Sequence, residues 1–315
     1  MNFYSNGKLL LTGEYVVLDG ATSLAVPTKF GQNLIIEPIE EPQLIWGSFT
    51  NTGECWFEAT FDLPKLRLTS ATFNSNKEGS AEFIAETLSD ILLEAKKLNP
   101  EFLTTKNGFV VKTNLTFPQN WGLGSSSTLI NNIATWANVN PFTLLWNAFS
   151  GSGYDIACAS NNSPILYQLK KSLSTTLEIT PIIEEVEFKP IFLDELFFVY
   201  LNQKQNSREG IAQYKQHKEE AHTLISEIDI LTQEFLKADS SINLNKIIFE
   251  HEQLISSIIK QTPVKKRLFP DYFGEIKSLG AWGGDFVLAT GNDDTLPYFK
   301  QKGYDTIVPY KEMVL

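Results

Sequence analysis

The sequence predicts an α+β protein of two domains, on three observations. Its 315 residues, 43% of them hydrophobic, exceed what one core of ordinary size needs. The first third consists of short apolar or alternating runs punctuated by glycine, which read as strands and turns. Later runs mix helical and strand periods without strict strand–helix alternation, which argues against a doubly wound parallel sheet.

In chain order, "GKLLLTGEYVVL", "SLAVPTKFG", "NLIIEPI" and "ECWFEATF" predict strands. Ser80 then stands as the N-cap of a helix whose Ile84, Leu88, Ile91, Leu92 and Ala95 recur at helical spacing. "GFVVKTNL" predicts a strand, and after Gly124 the residues Leu129, Ile130, Ile133, Trp136 and Ala137 mark one face of a helix. Asn140-Pro141 ends that helix and starts another, "FTLLWNAF". "ILYQL" and "LFFVYL" predict buried strands, followed by a helical region from about Glu209 to Ala238. The helix "NLNKIIFEHEQLISSIIK", a further helix and the strand "DFVLAT" complete the pattern. The character changes between residues 165 and 190, where the domain boundary is expected.

A net charge of −11 argues against a nucleic-acid partner, whose phosphates need a cationic face. It leaves small anionic ligands open, because a few local cations and oriented amides can hold a phosphate. The only two cysteines, Cys55 and Cys158, make no disulfide framework and fit a reducing cytoplasm. The N-terminal run is broken by Thr12, Gly13 and Glu14 and does not read as a signal peptide. No run reaches the ~20 apolar residues of a spanning helix. The expectation is therefore a cytoplasmic protein with no membrane partner. His217, His222 and His251 lack metal-ligand spacing and are expected to be solvated helix residues.

Chemistry concentrates in three glycine-rich stretches. "WGLGSSSTLINN", Trp121 to Asn132, places two glycines and three serines at a helix start. There the first backbone N–H groups lack intrahelical partners and the dipole's positive end lies beside them. This reads either as a capped helix start or as an anion site in which Gly122, Leu123 and Gly124 bring backbone close and Ser125, Ser126 and Ser127 add hydroxyls. "GKLLLTGEYVVLDGATSLAVP" reads alone as a hairpin, and "KSLGAWGGDFVLAT" as a tight turn into a strand.

Together and in this order the three stretches resemble the signature motifs of the GHMP kinases, the superfamily of galactokinase, homoserine kinase, mevalonate kinase and phosphomevalonate kinase. The likeness spans nearly the whole chain. "GEY" with Tyr15 after Glu14, "GSGYDIACA" from Gly151 to Ala159, and "GGD" ending at Asp285 resemble phosphomevalonate kinase more than mevalonate kinase. The resemblance implies an N-terminal domain like ribosomal protein S5 over residues 1–175, which binds nucleotide. It implies a ferredoxin-like C-terminal domain over 176–315, with the active site between them.

The implied activity is transfer of the γ-phosphate of ATP, with Mg2+, to a small-molecule acceptor of the mevalonate pathway, phosphomevalonate before mevalonate. A sugar or homoserine kinase, a diphosphomevalonate decarboxylase and a non-catalytic ligand-binding homologue are the rivals. A homodimer is an admissible assembly. By the resemblance, Asp155 and Lys8 are catalytic. Gly122 to Ser127, with Gly283 and Gly284, cradle the nucleotide, and Ser126 faces Mg2+. Ser127 stands where alanine is frequent and is alternatively a helix cap. Glu14, Ser152 and Gly153 belong to the substrate side, together with Lys204, Ser207 and Arg208 of "LNQKQNSREG".

Two departures stand out. Mevalonate kinases carry a Mg2+-binding Glu on the preceding helix, eleven positions before the catalytic Asp, where this chain has Leu144. Trp282 interrupts a loop that usually holds only small residues, so its ring narrows the nucleotide site, stacks on a ligand or points into the core.

Overall fold

Hydrophobic periodicity becomes two sets of layered elements. The structure, a computed structural model, describes residues 1–73, 80–104, 106–171, 179–203, 207–282 and 284–315, with backbone alone at 171, 207–209, 213 and 218–221. It divides into two units, Met1–Gly7 with Phe30–Gln119 and Leu123–Ser160, and Lys8–Lys29 with Asn120–Gly122 and Asn161–Leu315. Strands β1 (Asn2–Leu10) and β2 (Ser23–Ile39) each run through both.

In the first unit, β2 is joined by β3 (Gln43–Phe49), β4 (Cys55–Asp62), β5 (Arg67–Phe73) and β6 (Gly108–Leu115) in the order β5-β4-β3-β6-β2. The β3–β6 pair is parallel and its neighbours are antiparallel, with Gln32 opposite Leu115 and Ile39 opposite Gly108. Helices α1 (Ala81–Leu98), α2 (Ser125–Ala137), α3 (Pro141–Ala148) and α4 (Tyr154–Ser160) complete it. The Ser80 cap expected from the sequence is present, its hydroxyl accepting from the Phe83 amide at 3.1 Å, and at the Asn140-Pro141 helix start the Asn140 side chain accepts from Phe142 and Thr143. Leu34, Trp46, Phe61, Leu88, Leu92 and Ile133 sit in one core between the sheet and these helices.

In the second unit, Ser23–Ala25 of β2 pair with β7 (Ile165–Lys171), which pairs with β8 (Ile179–Glu185). A separate antiparallel sheet runs β10-β11-β9-β12, from β9 (Leu196–Tyr200), β10 (Ile276–Ser278), β11 (Phe286–Thr290) and β12 (Ile307–Pro309). Its helices are α5 (Ser207–Gln216), α6 (Lys218–Leu236), α7 (Ser241–Ile259), α8 (Val264–Leu268), α9 (Thr295–Gln301) and α10 (Tyr310–Met313). The α+β class read from the sequence is the class observed. Among the described residues no helix is long and apolar enough to cross a membrane.

Three expectations are corrected. "SLAVPTKFG" and "NLIIEPI" form one strand, because Pro27 and Gly31 fall between the pairing with β7 at Ser23–Ala25 and that with β6 at Gln32–Ile39. "GKLLLTGEYVVL" stops being a strand at Leu10; a turn and a short 3-10 helix, Val16–Asp19, follow. The long helical region breaks at His217 between α5 and α6, where neither glycine nor proline marks the interruption.

Candidate functional site

The α2 start answers the question its serines pose. Its N-cap is Gly124, in left-handed conformation at φ 89°, and no side chain caps the helix. By contrast α1, α3 and α7 are closed by Ser80, Asn140 and Ser240. Ser126 is exposed and Ser125 half-buried, so the first-turn amides of α2 keep the anion-binding character expected of an uncapped N-terminus. Ser127 neither caps the helix nor faces solvent: it is 5% exposed, and its hydroxyl donates to Asp155 Oδ2 at 2.5 Å.

Asp155 is half-buried in the first turn of α4. The segment before it turns at Gly151 and at Gly153, whose φ is 91°, and Ser152 between them is buried. The Trp146 indole donates to the Gly151 carbonyl at 3.3 Å, which ties α3 to this turn. Asp155, Ser152, Gly153 and Ser127 therefore gather within the first unit.

A second gathering lies within the other unit. Lys8 Nζ donates to the Gly122 carbonyl at 3.1 Å. Gly122 has φ 68°, and a Cβ there would lie 2.4 Å from an Asp285 carboxylate oxygen. A glycine is thus required by a protein carboxylate as well as by the backbone conformation. Asp285 itself has φ 55°; its amide donates to Gln203 and its carbonyl accepts from Leu201. Gly284 is buried beside it. Gly283 and Lys204 lie outside the described residues, as do the side chains of Ser207 and Arg208, whose backbones begin α5.

Glu14 occupies the interior. Lys277, His251 and Glu252 surround it, and all four are at most 2% exposed. Lys277 Nζ pairs with Glu14 Oε1, lies 3.1 Å from Glu252 Oε1, and donates to the Ser278 carbonyl at 2.7 Å. The Ser278 hydroxyl donates to Glu252 Oε2 at 2.6 Å. His251 corrects the expectation of a solvated residue. It falls on the inward face of α7 with Ile247, Ile248 and Ile255, at spacings of three and four, and its Nε2 accepts from the Gly13 amide at 3.0 Å. Tyr15, which follows Glu14, has φ 65° and ψ −49°, and the Val16 amide donates to the Glu14 carbonyl at 2.8 Å, which makes a strained γ-turn.

Burial dominates this cluster's titration. It pushes Glu14 up from 4.5 to about 7 despite the Lys277 ammonium, and it raises Glu252 as well. Burial and the same ammonium hold His251 well below its ordinary range, so the imidazole is neutral. Two carboxylates against one ammonium leave an uncompensated negative charge, and one retained proton removes it. Between pH 4.5 and about 7 the folded chain thus binds more protons at Glu14 than the unfolded chain. This contribution to stability is complete below pH 4.5 and is lost as pH rises to about 7. Across that window the wild-type Tm is expected to fall relative to that of Glu14→Gln, whose amide does not titrate; parallel profiles would refute the assignment.

Trp282 resolves to the core. It is 1% exposed and packs with Tyr15, Tyr214 and Ile228, and its left-handed backbone, φ 60°, is held by that packing. Tyr15 stacks on Tyr214, with centroids 6.1 Å apart. Leu144 is fully buried in the first unit's core. Among the described residues no group of three His, Cys, Asp or Glu could hold a metal ion. A cavity of about 660 Å3 in the second unit is lined by Lys29, Lys189, Lys311 and Tyr310, and by none of the candidate residues.

No protein-family model and no curated protein sequence matches the chain. Solved structures do. The mevalonate kinase of Methanococcus jannaschii matches at 18% identity and TM-score 0.68, over 98% of this chain and 96% of that one. The phosphomevalonate kinase of Streptococcus pneumoniae, in complex with phosphomevalonate and AMPPNP, matches at 17% and 0.66, over 96% and 95%. The galactokinase of Lactococcus lactis, complexed with galactose, matches at 15% and 0.65, over 96% and 88%. The chain has the GHMP kinase fold. At these identities the likeness establishes the fold, and chemistry must be argued from the residues that the GHMP fold displays here.

Proposed function

We propose that this chain is a phosphotransferase that moves the γ-phosphate of ATP to an oxygen of a small acceptor. Phosphomevalonate is favoured and mevalonate is next. The observation that carries the reading is the Ser127–Asp155 hydrogen bond, which joins the uncapped start of α2 to the carboxylate at the start of α4. An anion-binding helix end and a candidate proton acceptor are thereby fixed together, as positioned phosphoryl transfer requires. The fold shared with mevalonate and phosphomevalonate kinases supports it.

In this reading the amides of Gly124 to Ser127 bind the phosphates, and Asp155 orients the acceptor or takes its proton. Lys8, whose ammonium donates to the Gly122 carbonyl, is kept as a catalytic candidate on the resemblance. Lys204, Ser207 and Arg208 are kept as substrate-side candidates on the resemblance alone. The donor set does not fit a dedicated metal cage, because Leu144 is apolar and buried. It fits an ion that arrives on the nucleotide and takes the Ser126 hydroxyl as one ligand. Mg2+ bound in that way would neutralise phosphate charge. Trp282 packs into the core of the second unit, so its ring is no objection to a nucleotide, which favours a working enzyme over a non-catalytic homologue.

The test is ADP release with ATP and Mg2+ over a panel of phosphomevalonate, mevalonate, homoserine, galactose and glycerate, with 31P NMR of the product. Turnover with phosphomevalonate or mevalonate is expected. ATP binding without turnover of any acceptor would replace this reading with a ligand sensor.

A further inference from the structure

We propose that Ser127 is a positioning residue for Asp155: it holds one carboxylate oxygen fixed and presents the other to the acceptor. The inference rests on the reading of Asp155 as the acceptor-side carboxylate. An ionised carboxylate only accepts hydrogen bonds, so the Ser127 hydroxyl must be the donor in its 2.5 Å contact with Oδ2. A serine has one such proton. Its commitment to Asp155 separates Ser127 from Ser125 and Ser126, whose hydroxyls remain on the nucleotide side.

The platform beneath Ser127 is built to stay still. The next residue, Thr128, bonds the Gln32 side chain on β2 at 2.7 Å, and Asn132 donates to the Gln32 carbonyl at 3.0 Å. Asn131 donates to the Ser5 hydroxyl on β1 at 2.9 Å, and Ser5 donates to Asn132 at 2.8 Å. All five are buried, and a satisfied polar network of this kind fixes one arrangement of the first turns of α2 against both strands. The carboxyl torsion of an aspartate is otherwise broad. Anchoring one oxygen removes that freedom and leaves Oδ1 to meet the acceptor, the alignment that transfer demands.

Two kinds of measurement test this. With ATP, Mg2+ and phosphomevalonate or mevalonate, Ser127→Ala is expected to lower kcat by about 10- to 100-fold at unchanged KM for ATP and unchanged Tm. Ser127→Thr, which restores a hydroxyl, should recover most of it. Crystal structures of the wild type and Ser127→Ala should show the Asp155 carboxylate rotated in the variant. Wild-type kcat in Ser127→Ala, or an Asp155 carboxylate that keeps its orientation, overturns the proposal. If the wild type turns over neither acceptor, the functional reading fails; the pair of structures still decides Ser127, rotation supporting it and an unmoved carboxylate refuting it.

Discussion

Lys277→Met is expected to destabilise the second unit by about 3–5 kcal/mol and to lower its Tm by on the order of 10 °C. Lys277 is the one ammonium within reach of Glu14 and Glu252 among the described residues, and it lies with them in the interior. Methionine replaces the aliphatic stem, one atom shorter, and leaves no cation. Two carboxylates then share a dry site with a neutral imidazole, and removing one member of a buried pair strands the rest. The loss should grow with pH, because acid neutralises both carboxylates and alkali charges them. The double variant Lys277→Met/Glu14→Gln removes one stranded charge and should recover part of the loss, which makes the pair a double-mutant cycle. Thermal melts of the four proteins at pH 5 and pH 8 measure this. A Lys277→Met protein that melts with the wild type at pH 8 would show that the cluster contributes nothing to stability.

That cluster also marks where sequence reasoning reaches its limit. Local signals were legible: β6 spans "GFVVKTNL", Ser80 and Asn140 cap the helices they precede, and the helix after Gly124 begins at Ser125. Each depends on neighbours within a few positions, where turn chemistry and periodicity act. Glu14, the adjacent pair His251 and Glu252, and Lys277 come from three separate stretches of the chain, and a charged residue taken alone reads as solvated. Helical spacing did hold a clue, since His251 and Glu252 interrupt the apolar face of α7 at inward positions. The candidate site divides in the same way. Gly124, Ser125 and Ser126 could be read as an anion site from spacing, but the partner of Ser127 could not, because Asp155 is reached only by folding α4 against α2. Gly122 was legible as a glycine that lets backbone approach an anion, while the Asp285 carboxylate that a Cβ there would meet was not.

The size of the effect of Asp155→Asn should report which acceptor the site serves. Asparagine keeps the shape of the side chain and an oxygen that can still accept from Ser127, so the variant should fold and bind ATP as the wild type does. What it lacks is charge and basicity. A hydroxyl acceptor, as in mevalonate, must shed its proton as the new bond to phosphorus forms, and a positioned base contributes about 10²- to 10⁴-fold to such a step. A phosphate acceptor, as in phosphomevalonate, presents an oxygen already largely deprotonated at neutral pH, since its second ionisation lies near pH 6. Asp155 then orients the acceptor and removes no proton, and its loss should cost about tenfold or less. Measured kcat for wild type and Asp155→Asn with each acceptor separates the cases: a large drop on mevalonate beside a small one on phosphomevalonate is the expected pattern. Equal kcat in variant and wild type on both would remove Asp155 from the chemistry and leave the transfer to the α2 amides and the nucleotide's metal ion.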